Sequence, residues 1–329
     1  MNKVITEYAN IILSGGLLDR SQIDSLSVES EDAFWDLLYW SNTIREKFFG
    51  NKIRVCSIVP GRLGGCDQDC AFCSQSIKYD TATEKVAKTI SDEQILSAAA
   101  DAVSNGVPFI GIVNSGRTPS KNEFARLEKL IAKIKSDYGI GVCASLGILT
   151  ADQMQRLADA GLNRYNHNLE TSERYYAEIV STHKYSDRVN TVNAAKQANL
   201  GVCCGGLFGI GETHTDRMDM AMALRELEID MVPMNFLHPI EGTPLGDAQE
   251  LPPKEILRII ALYRFILPKA YLKAAGGRVL NLRDMQSWIF PAGVTSILSG
   301  NYLTTAGRSV KEDMQMLKDM GLEAISSKQ

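Results

Sequence analysis

Apolar positions along the chain change their spacing after about residue 50. In residues 31–49 they recur every three to four positions, as in an amphipathic helix, at Phe34, Leu37, Leu38, Ile44 and Phe48. From about residue 52, short β-type runs alternate with longer amphipathic segments, and the runs are IRVCSIV, PFIGIV, GVCASL, RYNHNLE, GVCCGGLFG, VPMNF, YLKAA and VTSILS. This alternation of eight strands with helices predicts an α/β fold, a (β/α)8 barrel of the TIM type with an N-terminal helical cap.

We divide the chain accordingly into three parts. Residues 1–50 form the predicted N-terminal helical cap, residues 51–305 the barrel, and residues 306–329 a C-terminal helix and tail. A length of 329 residues suits one barrel with additions at both ends. No linker or low-complexity segment divides the chain.

The alternation of side chains along barrel strands predicts which groups face the lumen. When the valine before each strand cysteine is assigned to the helical layer, Cys56, Cys143 and Cys203 face inward. In the fourth strand the same alternation turns three polar side chains inward, namely Asn166, Asn168 and Glu170. A lumen with thiols and polar groups indicates chemistry, since barrel interiors are otherwise filled mainly by branched apolar residues.

Composition excludes several classes of function. Hydrophobic residues make up 45% of the chain and charged residues 22%, which is typical of a globular protein. The net charge of −4 and the absence of a basic stretch argue against a nucleic-acid partner. No hydrophobic run is long enough for a secretory signal or a membrane span, so we predict a cytoplasmic protein without a membrane partner. Seven cysteines in such a chain favour metal binding or catalysis over disulfides.

Three of the cysteines lie in one loop after the first strand, in GGCDQDCAFCSQS (64–76). Their spacing is Cys66-x3-Cys70-x2-Cys73. Three thiolates can hold three irons of a [4Fe–4S] cluster and leave the fourth iron without a protein ligand. The alternative is a zinc site that lacks one ligand, although no fourth Cys or His is present in the loop.

This loop resembles that of the radical S-adenosylmethionine (SAM) superfamily, including the aromatic Phe72 before the last cysteine. The resemblance implies that the open iron chelates the amino and carboxylate groups of SAM. An electron from the cluster would then cleave SAM to a 5′-deoxyadenosyl radical. For Phe72, the resemblance implies a contact with adenine.

Further motifs resemble the biotin synthases from about residue 50 onward: SLGILTADQMQRLADAGLNRYNHNLETS, CGGLFGIGET, EGTPL and CDQDCAFCSQSIKY. That family inserts sulfur into dethiobiotin, consumes two SAM molecules and takes the sulfur from a second iron–sulfur cluster. The resemblance further implies a low-potential electron donor of the flavodoxin or ferredoxin type and suggests a homodimer. Two alternatives stay open: a related enzyme for another small molecule, of the hydrogenase-maturation or methylornithine-forming type, and a non-catalytic iron–sulfur scaffold.

The resemblance also implies roles for residues of the SAM site. Asn168 and Glu170 match contacts to the SAM ribose, with Glu170 where an aspartate is more usual. Arg188 matches the arginine that meets the SAM carboxylate, although alone it would be taken for a surface helix residue. The glycines of CGGLFGIGET, among them Gly209, would let the backbone approach the adenosyl group.

Asn166 and Asn235 match the residues that bind the ureido ring of dethiobiotin. An amide is suited to a urea, because both offer donors and an acceptor. For Asn235 a turn or capping role is the alternative.

The second cluster site departs from the family pattern of three cysteines and an arginine. Cys143 and Cys203 match, but Ile110 occupies the position of the third cysteine and Lys273 that of the arginine. Two thiols are additional, Cys56 and Cys204, so we predict an auxiliary four-iron cluster held by Cys56, Cys143, Cys203 and Cys204. Lys273 would compensate the cluster's charge.

Cys204 is the uncertain member of this set. Adjacent residues on a regular strand face opposite ways, so Cys203 and Cys204 share a cluster only if the strand is bulged or ends there. The alternative is a small buried residue packed against a helix. Among the histidines, the alternation turns His167 toward the outer layer as a hydrogen-bonded structural residue, and His183, His214 and His238 are interpreted as loop residues.

Overall fold

The computed structural model describes residues 1–325, and it begins with three helices that precede the first barrel strand. They are α1 (Lys3–Leu13), α2 (Arg20–Asp32) and α3 (Phe34–Phe49). The side chains of Asn2 and Asp19 cap the first two helices, each accepting a hydrogen bond from a backbone N–H of the first turn. These helices pack on one another through the apolar stripe that the sequence predicts.

The strands follow in chain order, and all eight predicted runs form strands. They are β1 (Lys52–Leu63), β2 (Lys88–Thr89), β3 (Phe109–Asn114), β4 (Gly141–Ser145), β5 (Arg164–Asn166), β6 (Gly201–Cys203), β7 (Gly206–Phe208), β8 (Met231–Phe236), β9 (Tyr271–Ala274), β10 (Ser296–Leu298) and β11 (Glu323–Ala324). β6 and β7 both come from the fifth predicted run and both pair with β8. β10 pairs with β1 in parallel, which closes the barrel and confirms the predicted fold class. The two-residue strands β2 and β11 add to β1 outside the barrel order.

Helices connect the barrel strands and cover the outside of the sheet. They are α4 (Asp92–Ser104), α5 (Lys121–Tyr138), α6 (Ala151–Asp159), α7 (Glu173–Ile179), α8 (Tyr185–Gln197), α9 (His214–Glu226), α10 (Pro253–Ile266), α11 (Arg278–Leu282), a 3-10 helix (Arg283–Ile289) and α12 (Val310–Asp319). Capping boxes begin four of them, with Ser91, Thr150, Thr213 and Ser309 as the N-cap residues. α3 packs on α10, which connects the N-terminal helices to the barrel.

The C-terminal part of the chain contains α12 and β11. The end of the predicted tail, residues 326–329, lies outside the described residues, and the three-part division of the chain stays a prediction. Within residues 1–325, every helix is too short or too polar to cross a membrane.

Burial follows the expected alternation along the strands. Val55, Val142 and Val202 belong to the main apolar core between the sheet and the helices. Cys56 and Cys143, each next to one of these valines, line a cavity inside the barrel. The carboxyl ends of the parallel strands therefore present their inward side chains to one enclosed space.

Candidate active site

The cluster loop, residues 64–77, folds back on itself directly after β1. Gly64 and Gly65 have φ angles of 67° and 61°, a region that favours glycine, and a Cβ on Gly65 would lie 2.6 Å from the Ala87 nitrogen. Backbone hydrogen bonds close the loop, from Ile77 N to Cys66 O at 2.8 Å and from Cys73 N to Cys70 O at 2.9 Å.

This fold brings the three thiols of the loop together. All three contribute to the wall of a cavity of about 180 Å³, which we call the upper cavity. Its other walls include Phe72, Glu170, Arg188, His167 and His183.

The three loop thiols fit a cluster with one open iron. Burial raises the pKa of Cys70 to about 12 and that of Cys73 to about 11, so these two thiols are neutral until a metal displaces their protons. The loop offers three sulfur donors and no fourth, which matches a three-ligand cluster. No three His, Cys, Asp or Glu side chains in residues 1–325 are grouped to hold a single ion, the loop thiols included, so the cluster assignment rests on the number and spacing of the sulfur donors in the loop.

Arg188 lies in the first turn of α8, and its guanidinium is buried in the wall of the upper cavity. Its Nε donates to the Tyr176 hydroxyl at 2.6 Å, and its Nη1 donates to Asn168 O at 3.1 Å. The same Nη1 is 3.4 Å from Glu170 Oε1, and Nη2 donates to His183 Nε2 at 3.0 Å. A guanidinium has five N–H groups, so at least one remains for a ligand in the cavity.

Glu170 lies in the wall of the upper cavity and has an unusual backbone conformation. Its φ of 70° is rare for a residue with a side chain, and such strain is concentrated at functional sites. Burial raises the pKa of its carboxyl, while Arg188 acts to lower it. Asn168 Nδ2 donates to Glu170 Oε2 at 3.4 Å, and Asn168 Oδ1 accepts from Gly205 N at 3.2 Å.

A second space, the lower cavity of about 330 Å³, lies inside the barrel and shares Glu170 and Ser145 with the upper one. Asn166 and Asn235 line it. Asn166 Oδ1 is buried without a hydrogen-bond partner among the described residues. Asn235 donates from Nδ2 to Gly206 O at 3.1 Å and accepts at Oδ1 from Gly276 N at 2.9 Å, so it also connects the backbone of two strand ends.

Two further thiols line the lower cavity, and a third contacts a lysine in its wall. Cys56 and Cys143 line it together with Lys273. Lys273 Nζ donates to Cys203 Sγ at 3.6 Å. Burial raises the pKa of Cys143 to about 12, and Cys203 and Cys56 act in the same direction.

Lys273 is a cation in this setting. Burial acts to lower the pKa of its ammonium, but the sulfurs of Cys203, Cys56 and Cys143 outweigh that effect and raise it. A protonated amine has no lone pair for iron, so in that form Lys273 would serve the site through its charge and its hydrogen bonds.

The structure does not bring Cys204 to this group. Cys204 is fully buried in the main apolar core, on the helical side of the sheet, whereas Cys203 contacts Lys273. β6 ends at Cys203, and the backbone N–H of Cys204 donates to Met231 O at 3.0 Å. The break therefore does not turn both thiols inward, and the inclusion of Cys204 in the auxiliary set needs correction.

Ile110, which the resemblance places at a cluster position, does not face the lumen. Ile110 is packed in the main core, 1% exposed, and the next residue, Gly111, lines the lower cavity. Gly111 stands opposite Cys143 in the β3–β4 register. The lumen at this position of the second barrel strand therefore has no side chain.

Gly209 lies outside both cavity walls. Its φ of 87° explains the glycine, and its N–H donates to Glu212 Oε1 at 3.0 Å. The predicted contact with an adenosyl group stays a prediction.

Two histidines, His167 and His214, differ from their interpretation in the sequence. His214 is the first residue of α9 rather than a loop residue, whereas His183 and His238 lie in loops as interpreted. His167 does not point into the helical layer: it lines the upper cavity, and its buried Nε2 has no partner among the described residues. β5 ends at Asn166, so the strand alternation does not extend to residue 167. His183 also lines the upper cavity and contacts Arg188, and its position before α8 gave no signal of this in the sequence.

Two family models match the chain. Residues 62–224 match the radical SAM superfamily, and residues 233–323 match the biotin and thiamin synthesis associated domain. Among solved structures, methylornithine synthase superposes with a TM-score of 0.85 at 21% identity and covers 98% of both chains. A maturase of FeFe-hydrogenase from Carboxydothermus hydrogenoformans superposes with a TM-score of 0.81 at 19% identity, over 97% of this chain and 79% of that one. These identities establish the shared fold alone.

Curated relatives are similar over nearly the whole length. The biotin synthase of Citrifermentans bemidjiense is 40% identical over 325 residues, 99% of each chain. That of Thermodesulfovibrio yellowstonii is 44% identical over 303 residues, 92% of this chain and 95% of the other. A three-thiol loop at the carboxyl ends of a closed parallel barrel, with the superfamily match across it, defines a radical SAM enzyme. Within that class, the chain belongs to the biotin synthase family.

Proposed function

We propose that this enzyme converts dethiobiotin to biotin by SAM-dependent sulfur insertion, with the sulfur supplied by an auxiliary cluster deep in the barrel. The observation that carries the proposal is the pair of adjoining cavities that share Glu170. The three loop thiols line the upper cavity. Cys56 and Cys143 line the lower one together with Asn166, whose Oδ1 is buried without a partner among the described residues. A substrate between them would lie within reach of both.

In the upper cavity, Cys66, Cys70 and Cys73 would hold a [4Fe–4S] cluster, which when bound supplies the electron that cleaves SAM. Arg188 would bind the SAM carboxylate with its remaining N–H, since a fixed planar cation suits that group. Asn168, which lines the lower cavity, and Glu170, which lines both cavities, would accept hydrogen bonds from the ribose hydroxyls. Their orientation is already set by hydrogen bonds to Gly205 and to each other.

Phe72 and Gly209 would serve the adenosyl part of SAM. The Phe72 ring lines the upper cavity and packs against an apolar cluster that includes Ile179, so it can offer adenine a flat apolar contact.

In the lower cavity, Asn166 would bind the ureido ring of dethiobiotin. Its unpaired buried Oδ1 costs free energy until a donor such as a urea N–H reaches it. Asn235 can add a second contact with its remaining amide hydrogen and lone pair, while its other two hydrogen bonds hold the backbone.

For the auxiliary site we propose three protein thiolates, Cys56, Cys143 and Cys203, with Lys273 as the counter-ion. Three thiolates do not rule out the predicted four-iron cluster, because the upper loop would hold four irons with three as well. The buried ammonium beside Cys203 supports an anionic occupant, because an unpaired buried cation is costly.

The proposal includes three further elements that follow from family resemblance. They are a low-potential electron donor of the flavodoxin or ferredoxin type, assembly as a homodimer, and a cytoplasmic location.

Anaerobic turnover with dethiobiotin, SAM and a low-potential reductant tests the function. We expect biotin and 5′-deoxyadenosine from the unmodified protein and neither from Cys70→Ala, since two thiolates hold the cluster poorly. The measurement is mass detection of both products. SAM cleavage without biotin would point to a related enzyme for another molecule, and no cleavage would favour the scaffold alternative.

A matched variant separates substrate binding from SAM cleavage. Asn166→Leu should leave dethiobiotin-independent cleavage of SAM unchanged and reduce biotin formation, with an affinity loss of about 1–3 kcal/mol for the unpaired urea. Asn235→Leu is less informative, because it also removes the bonds to Gly206 and Gly276.

A further inference from the structure

The cluster loop is attached to residues 181–188 at two places. At the first, the Asp69 carboxylate accepts hydrogen bonds from Ser181 N at 3.0 Å, Thr182 N at 3.1 Å and Thr182 Oγ1 at 2.8 Å. At the second, His183 lies between Gln68 of the loop and Arg188 of α8. The first attachment holds the loop, but only the second leads to the arginine of the upper cavity.

The direction of the hydrogen bonds in this second attachment is determined. A guanidinium only donates, so Arg188 Nη2 donates to His183 Nε2 at 3.0 Å. The proton of the neutral imidazole is therefore on Nδ1, which donates to Gln68 Oε1 at 3.0 Å. Gln68 in turn donates from Nε2 to Asp67 Oδ1 at 2.8 Å. The chain runs without a break from the guanidinium into the loop between Cys66 and Cys70.

His183 has little freedom to leave this position. It is 9% exposed, and its ring meets the Tyr176 ring edge to face at 6.1 Å. The Tyr176 hydroxyl accepts from Arg188 Nε, so the same tyrosine holds both the imidazole and the guanidinium. A side chain at position 183 must accept at one end and donate at the other to keep both contacts.

We propose that His183 is a positioning residue that couples the cluster loop to Arg188, so that cluster retention and SAM carboxylate binding reinforce each other. The proposal rests on the proposed function in one respect, the assignment of the SAM carboxylate to Arg188. If one ligand stabilises the shared arrangement, the other must bind more tightly by the same factor.

The test measures iron loss to a chelator, with and without SAM and without reductant. The full-length protein carries Cys143→Ala and Cys203→Ala, so the released iron comes from the loop. We expect SAM to slow iron release in this parent, and His183→Leu to reduce that protection about tenfold, as for a lost hydrogen bond to a charged group. His183→Gln should restore the protection, because an amide can accept from Arg188 and donate to Gln68.

His214→Leu is the matched control. His214 is half-exposed and contacts Arg258 and Glu255 outside both cavities, so SAM protection should equal that of the parent. Equal protection in the parent and His183→Leu would overturn the coupling. Absence of protection in the parent itself would instead contradict the assignment of Arg188 to SAM and remove the coupling with it.

A second variant provides the test if the His183→Leu protein does not bind iron. Gln68→Leu breaks the same chain at its other end and leaves the Asp69 attachment in place. It should also lose SAM protection, and parent-like protection in Gln68→Leu would overturn the proposal.

Discussion

Asn166 and Asn235 line the same cavity, yet their amides differ in what the protein has left free. Asn166 retains a buried oxygen without a partner in residues 1–325, whereas both ends of the Asn235 amide already bind backbone. The neighbouring Cys203 and Cys204 also differ in their contacts. The Cys203 sulfur contacts the Lys273 ammonium, whereas Cys204 packs among apolar side chains. At the scale of residues, the partners already present decide which side chains are available to a ligand.

Removal of either of these two thiols should therefore have different results. In a Cys66/Cys70/Cys73 triple Ala background, we expect about four irons per chain at the auxiliary site after anaerobic reconstitution. Cys203→Ala should lower that content, because it removes a lumen thiol. Cys204→Ala should keep it and lower the thermal midpoint only modestly, at a cost of about 1 kcal/mol for a small buried truncation. Equal iron loss in both variants would show that Cys204 is a ligand of the auxiliary cluster.

The fifth barrel position is built from two short strands rather than one. β6 ends at Cys203 and β7 begins at Gly206. Between them, Gly205 lies so close to β8 that a Cβ would be 1.9 Å from Pro233 O. Its N–H donates to Asn168 Oδ1 and its carbonyl accepts from Leu169 N at 2.9 Å. The interruption thus holds the strand end after β5, where Asn168 and Glu170 lie.

Gly205→Ala should strongly destabilise this element. The added methyl cannot fit against the Pro233 backbone, and overpacking of this kind costs about 1–3 kcal/mol or more. Gly139→Ala is the control: it has a φ of 62° but no atom within 4 Å of the added carbon, so only its backbone strain is measured. Thermal unfolding should give a clearly lower midpoint for Gly205→Ala, and similar midpoints would contradict the steric argument.

At the scale of the whole molecule, the buried Arg264 connects segments that are distant in the chain. It lies where α3, α10 and the chain before the last two barrel strands meet. The Arg264 guanidinium is fully buried and donates to the carbonyls of Leu267, Pro268, Ala270 and Gly293. These carbonyls belong to the end of α10 and to the chain before β9 and β10. Burial lowers the pKa of Arg264, but the carbonyls and the C-terminal end of the helix favour its charge.

Arg264→Lys should destabilise the whole protein although the charge is kept. An ammonium cannot reach several separate carbonyls with a planar fork, and each buried carbonyl left unpaired costs about 1–3 kcal/mol. Lys133→Arg, at an exposed position on α5, is the control, because it measures the effect of a substitution between lysine and arginine away from the core. Denaturant unfolding should show a large loss for Arg264→Lys and almost none for the control. A small loss would mean that water replaces the missing donors.

Periodicity and spacing in the sequence determined the barrel, its eight strands and the three-thiol loop. These features depend on local patterns, because the alternation along a strand and the spacing Cys66-x3-Cys70-x2-Cys73 involve only residues that are close in the sequence. Parity along each strand also separated Cys56 and Cys143 from their valine neighbours, since side chains on a strand must alternate. Motif resemblance supplied the family.

Only the tertiary structure decided which of these side chains share a space and what they contact there. Despite the break after Cys203, Cys204 lies in the apolar core. Because β5 ends at Asn166, the side chain of His167 can point into the upper cavity. Gly111 rather than Ile110 faces the lumen, because register with β4 fixes the direction of β3. Contacts between distant segments, such as Gln68 with His183, have no local pattern, because packing brings together residues 115 positions apart.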